Sequence, residues 1–150
     1  MDILQGDVYW VYAHDLDIEG SEQAKNRPYV IVSRLSINRL GHNVVGVPLS
    51  TVLSKAGMHR MMIPLQMMIK DPAWPATWPS GQPRNQLEKS VALTDHVRVL
   101  DIRRLTMPRM GSLSTTAIAG LELALRRIFE TTQRQAPPPI VPPIPGLPVK

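Results

Sequence analysis

The chain has 150 residues, a formal net charge of +5 and 43% hydrophobic residues, a size at which one domain with one core is the rule. It holds no cysteine, which excludes disulfides, thiolate nucleophiles and cysteine-based zinc sites. No apolar run nears the roughly 20 residues that span a bilayer, and residues 1–7 lack the basic start and apolar stretch of a secretory leader, so the expectation is a soluble, cytoplasmic protein with no membrane association.

Residues 7–13 (Asp-Val-Tyr-Trp-Val-Tyr-Ala) are rich in β-branched and aromatic side chains and predict a first strand. A polar loop over 14–27, with Gly20 and Asn26, leads to a second strand at 28–33. The third is expected at 43–49, with Pro48 marking its end or an edge, the fourth at 58–65, and one or two more across 90–93 and 96–100. Short strands joined by turn-rich segments predict a mainly β domain, a small barrel or curled sheet. One helix follows. Ser114 is a good N-cap, Leu113 and Ile118 have the spacing of a hydrophobic staple, and Ile118, Leu121, Leu125 and Ile128 form one apolar stripe. Arg126 and Arg127 suit the negative end of that helix.

Two stretches concentrate proline. Residues 71–87 form a long loop that also carries Trp74 and Trp78, and loops longer than about 12–15 residues in a compact domain are usually functional or mobile. Its tryptophans either stack on a nucleobase or cover the domain's own core. The tail, 136–150, holds seven of the fifteen prolines; it is expected to be extended or disordered, as a docking ligand or a frayed end. The domain proper is therefore set at 1–135. Charge is uneven as well: residues 1–24 carry six acids and no Lys or Arg, and the chain from Asp71 onward has ten basic residues against six acidic ones. Such a surplus attracts polyanions, or is an ordinary solvated surface.

Three polar clusters carry candidate chemistry. In Gly20-Ser21-Glu22-Gln23-Ala24-Lys25-Asn26-Arg27-Pro28 a carboxylate and a guanidinium lie five residues apart at a loop-to-strand junction. The proline biases Arg27 to an extended backbone and so fixes where its side chain starts; the alternative is a surface ion pair of little energetic weight. Ser50 and Thr51 follow the third strand and either bind a phosphate oxygen or close a turn. Thr94-Asp95-His96 and Arg98 follow a later strand, where Asp95 receives a base edge, caps a turn or orients Arg98. The four histidines have no helical metal-ligand spacing, so neither metal nor cofactor is expected.

In order, Gly6-Asp7-Val8-Tyr9-Trp10, Gly20-Ser21-Glu22-Gln23 with Arg27-Pro28, Val47-Pro48-Leu49-Ser50-Thr51, the 90–98 segment with Asp101 and Arg104-Leu105, and Gly111-Ser112-Leu113-Ser114 resemble the MazF/PemK family of toxins, from about residue 6 to 129. The resemblance implies an SH3-like small barrel with a C-terminal helix, usually homodimeric and paired with an antitoxin protein. It implies metal-independent, sequence-specific cleavage of single-stranded RNA, leaving 2′,3′-cyclic phosphate and 5′-hydroxyl ends. By the same resemblance Arg27 and the Ser50/Thr51 position fall on the main catalytic groups and Glu22 on the loop acid. RNA contacts are expected from Gln23, Lys25, Asp95, His96 and Arg98. Threonine is common where Ser50 stands and glutamine where His96 stands. Two alternatives remain: a toxin of the same fold that binds DNA gyrase without cutting RNA, and a catalytically decayed binding relative.

Overall fold

The computed structural model describes residues 2–12, 26–57, 60–64, 68–70 and 89–129. The 71–87 segment, the 136–150 tail and most of the 14–27 loop expectation lie outside the described residues. Among the described residues eight strands, β1 (Asp7–Val11), β2 (Arg27–Ile31), β3 (Asn43–Ser50), β4 (Met61–Pro64), β5 (Met68–Lys70), β6 (Lys89–Ala92), β7 (Arg98–Asp101) and β8 (Leu105–Leu113), join a short helix α1 (Leu35–Asn38) and a longer α2 (Thr115–Phe129). All described pairings are antiparallel, in the order β4-β6-β3-β2-β1-β8-β5, with β7 set against the first half of β3. The result is a curled, barrel-like sheet with a C-terminal helix, the expected class.

Every residue of β1 is buried, because the strand has a core on each face. Val8 and Trp10 join Val30, Val47, Leu49 and Ala92 in one cluster, with Ala117 and Leu121 of α2 closing it. Tyr9 and Val11 join Tyr29, Ile31, Val44 and Leu100 on the other face. The period-two alternation of strand side chains produces this split. The sheet therefore has a helix-covered side and an opposite side.

Helix α2 begins as its sequence predicts: the Ala117 amide donates to Ser114 Oγ at 3.2 Å. Its buried line is Ala117, Leu121 and Ala124, with Ile118 and Leu125 at the margin, so the apolar stripe is centred a little to one side of the expected one. Gly6 lies under Ile118 with φ of +90°, and a Cβ there would come within 2.6 Å of Ile118 Cδ1. Only glycine suits both demands.

Strand β8 was not expected, since Pro108 and Gly111 argue against a strand interior. The sheet accommodates them by slipping: Val8 faces Gly111, whereas Trp10 faces Thr106. Such irregularities place the residues that cannot continue a ladder. The Asp7 carboxylate, 2% exposed, accepts from the Leu4 amide at 2.8 Å and from Arg109 Nη1 at 3.0 Å. This ties the start of β1 to β8.

Candidate functional site

Antiparallel register puts two of the expected residues at the same end of the β2–β3 pair. In β2 and β3, Tyr29 faces Pro48, Val30 faces Val47 and Ile31 faces Gly46. The β2–β3 ladder ends at Tyr29–Pro48, and Ser50 pairs with Val91 of β6, so Arg27 and Ser50 each lie two residues beyond that last pair. Arg27 faces Val11 of β1, which belongs to the Tyr29 cluster. Alternation then puts Arg27 and Ser50 on the side of the sheet away from α2. Arg98 faces Gly46 across the β3–β7 ladder, two residues from the Leu100–Val44 pair in that cluster, so it lies on the same side. Gly46 is glycine for a local reason: an added Cβ would meet Leu100 at 2.8 Å and Tyr29 at 3.2 Å.

Arg27 is half-buried, and desolvation lowers its pKa from the ordinary arginine value, with nearby Tyr29 acting in the opposite direction. Arginine starts so far above neutrality that the group stays a cation. A partly desolvated guanidinium is a stronger electrostatic partner for phosphate than one in bulk water. Ser50 is 8% exposed. Its Oγ accepts from the Val52 amide at 3.2 Å, which leaves the hydroxyl proton to be donated. Thr51 is exposed beyond the end of β3.

Asp95 and His96 belong to a 3-10 turn, residues 94–96, that packs against α2 and β3. Of the roles open to Asp95 from sequence, the structure supplies a different partner. Arg60 grips it in a two-pronged fork, Nε to Oδ1 at 2.8 Å and Nη2 to Oδ2 at 2.6 Å. The fork holds the Asp95 carboxyl below its usual pKa and raises that of Arg60. His96 Nε2 stands 3.8 Å from the same carboxylate. Arg60 was not singled out in the sequence, where it is an isolated cation 35 residues from its partner. Glu22, Gln23 and Lys25 lie outside the described residues. Among the described residues no group of three or more His, Cys, Asp or Glu side chains is arranged to hold a metal, and no helix is long and apolar enough to cross a membrane.

A curled antiparallel sheet, capped on one side by a C-terminal helix and carrying Arg27 and Ser50 on the other, defines a small β protein of the helix-capped, barrel-like class. Residues 4–129 match the PemK-like, MazF-like toxins of type II toxin–antitoxin systems, and the chain belongs to that family. Solved structures share its fold. An endoribonuclease from a Mycobacterial species aligns over 87% of this chain and 93% of its own, at TM-score 0.55 and 20% identity. An endoribonuclease from a Mycobacterial species in complex with its cognate antitoxin aligns over 86% of this chain and 96% of its own at TM-score 0.55 and 20% identity. MazF from Deinococcus radiodurans aligns over 87% and 98%, at TM-score 0.55 and 18% identity. No curated protein matches the sequence.

Proposed function

We propose that this chain is the toxin of a toxin–antitoxin pair and a metal-independent, sequence-specific endoribonuclease acting on single-stranded RNA. The observation that supports the proposal is that strand alternation puts Arg27 and Ser50 on the same side of the sheet, away from α2, just beyond the last β2–β3 pair. The fold it shares with endoribonucleases supports the same reading.

Cleavage by the RNA's own 2′-hydroxyl needs a proton acceptor at that oxygen and positive charge on the pentacoordinate phosphorus. The 2′-oxygen bonds to phosphorus as its proton passes to Glu22. The bond to the 5′-oxygen breaks, and that oxygen collects a proton from solvent. The products are a 2′,3′-cyclic phosphate and a 5′-hydroxyl. Arg27 takes two non-bridging oxygens in the geometry its planar fork favours, while Ser50, or its neighbour Thr51, donates to one of them. An oriented donor of this kind is commonly worth about 10²–10³ in rate. Arg98 shares the Arg27 side and is placed to meet phosphates or bases there. Gln23, Lys25 and His96 are the further RNA contacts the family resemblance implies, whereas the Asp95 carboxylate is held by Arg60. The partner is an antitoxin protein, as in the complexed Mycobacterial neighbour; the working unit is a homodimer of domains spanning 1–135.

The test is incubation of the purified protein with a single-stranded RNA in excess chelator. The expected result is discrete cuts by the natural chain and none by Arg27→Ala. Growth inhibition that depends on gyrase, with RNA left whole, would overturn the proposal.

A further inference from the structure

Strand β6 separates the ends of β3 and β4: Ser50 faces Val91 on one flank, and Met61 faces Ala92 on the other. With strands about 4.8 Å apart, the connection 51–60 leaves β3 at the candidate hydroxyls and re-enters the sheet roughly two strand spacings away. It is tied internally, the Lys55 amide donating to Val52 O at 3.1 Å, the Arg60 amide to Gly57 O at 3.1 Å and Arg60 Nη1 to Lys55 O at 3.5 Å. The Val52 amide ties the start of this connection to Ser50 Oγ at 3.2 Å and its 53–55 turn packs against β6, while the Arg60–Asp95 fork ties its far end to the 94–96 turn. The anchor it reaches is firm. Thr94 is fully buried, and the Leu93 amide donates to Pro48 O at 2.9 Å, two residues before Ser50. The path from Ser50 through the connection to Arg60, Asp95, Leu93 and Pro48 thus closes a ring around the hydroxyl-bearing end of β3.

We propose that Arg60 is a positioning residue: its fork on Asp95 clamps the 51–60 connection and so holds the Ser50 and Thr51 hydroxyls in register with Arg27. The inference rests on the endoribonuclease reading above. As an exposed ion pair the fork contributes little to stability, but two parallel bonds fix direction as a single bond does not. Displacement of a catalytic donor by about 1 Å costs on the order of 10²-fold in rate.

The experiment uses the full chain with Arg60→Ala, Asp95→Ala, the double variant and the charge-exchanged pair Arg60→Asp with Asp95→Arg. Steady-state cleavage of an RNA oligonucleotide is measured beside amide hydrogen exchange. Each single variant is expected to lower kcat by about tenfold or more with KM little changed. The double variant is expected to be no worse than the poorer single one, and the exchanged pair should recover part of the rate. The Val52 and Lys55 amides should exchange faster in the single variants while the Val30 and Val47 amides stay protected. Additive losses, a defect confined to KM, or unchanged exchange at Val52 and Lys55 would overturn the proposal. A natural chain that cuts no RNA defeats the nuclease reading instead, and the exchange measurement still decides whether the clamp exists.

Discussion

Replacing Gly6 by alanine tests how α2 is seated on the sheet. The residue has φ of +90°, and an L side chain forced into positive φ costs about 1–3 kcal/mol. Its backbone has little room to relax, since the Gly6 amide donates to Ile31 O at 2.7 Å and its carbonyl accepts from the Leu113 amide at 2.9 Å. The new methyl would also sit 2.6 Å from Ile118 Cδ1 and 3.1 Å from Cγ1. Driving that side chain off its rotamer adds about 0.5–1.5 kcal/mol. Loss of unfolded-state entropy returns about 0.4–1 kcal/mol. The net destabilisation is about 0.5–4 kcal/mol, centred near 2, read as a lower urea midpoint at constant slope. Ile118→Val deletes the nearer methyl but leaves the backbone demand, so Gly6→Ala should cost about 0.5–1 kcal/mol less in that background. A cost below about 0.5 kcal/mol, or the same cost in both backgrounds, would refute the seating described here.

Other outcomes follow from the site. Arg27→Lys keeps a charge but loses the fork, so kcat on single-stranded RNA should fall about 10²-fold; a near-normal rate would leave the planar geometry without a role. Ser50→Ala should lower kcat more than Thr51→Ala, because strand alternation puts Ser50 on the Arg27 side; the reverse order would assign the hydroxyl to Thr51. The depressed pKa of Asp95 implies a contribution present above the ordinary carboxylate range, near 3.9, and lost as pH falls through the lower folded value. Denaturation midpoints followed from pH 6 to pH 2 should therefore drop less steeply in Asp95→Asn than in the natural chain; parallel curves would show that the fork does not bias that titration.

The parts of the fold legible in the sequence are those where one local signal suffices. The β-branched and aromatic run of β1 announces a strand, and Ser114 with its following apolar residues announces α2. The 105–113 strand was hidden because Pro108 and Gly111 are locally wrong for a ladder, and only the register slip against β1 makes them tolerable. At four and three residues, α1 and β5 are too short to show a period and exist through tertiary contact. The site divides in the same way. Arg27 was marked by the proline after it and Ser50 by the strand end before it. Arg60 carries no local mark, since its role arises when β6 aligns β4 with the 94–96 turn. For Asp95 the type of interaction was open from sequence, and the partner turned out to be that distant arginine.

The central claim is that Arg27 and a β3 hydroxyl stabilise attack by the RNA's own 2′-oxygen. It is tested most directly with two oligonucleotides identical except for one 2′-deoxy nucleotide on the 5′ side of the cut. The all-ribose strand should be cleaved to a 2′,3′-cyclic phosphate and a 5′-hydroxyl, and the substituted strand should survive at that position under identical conditions. Equal cleavage of both strands, or a 5′-phosphate on the product, would contradict the account.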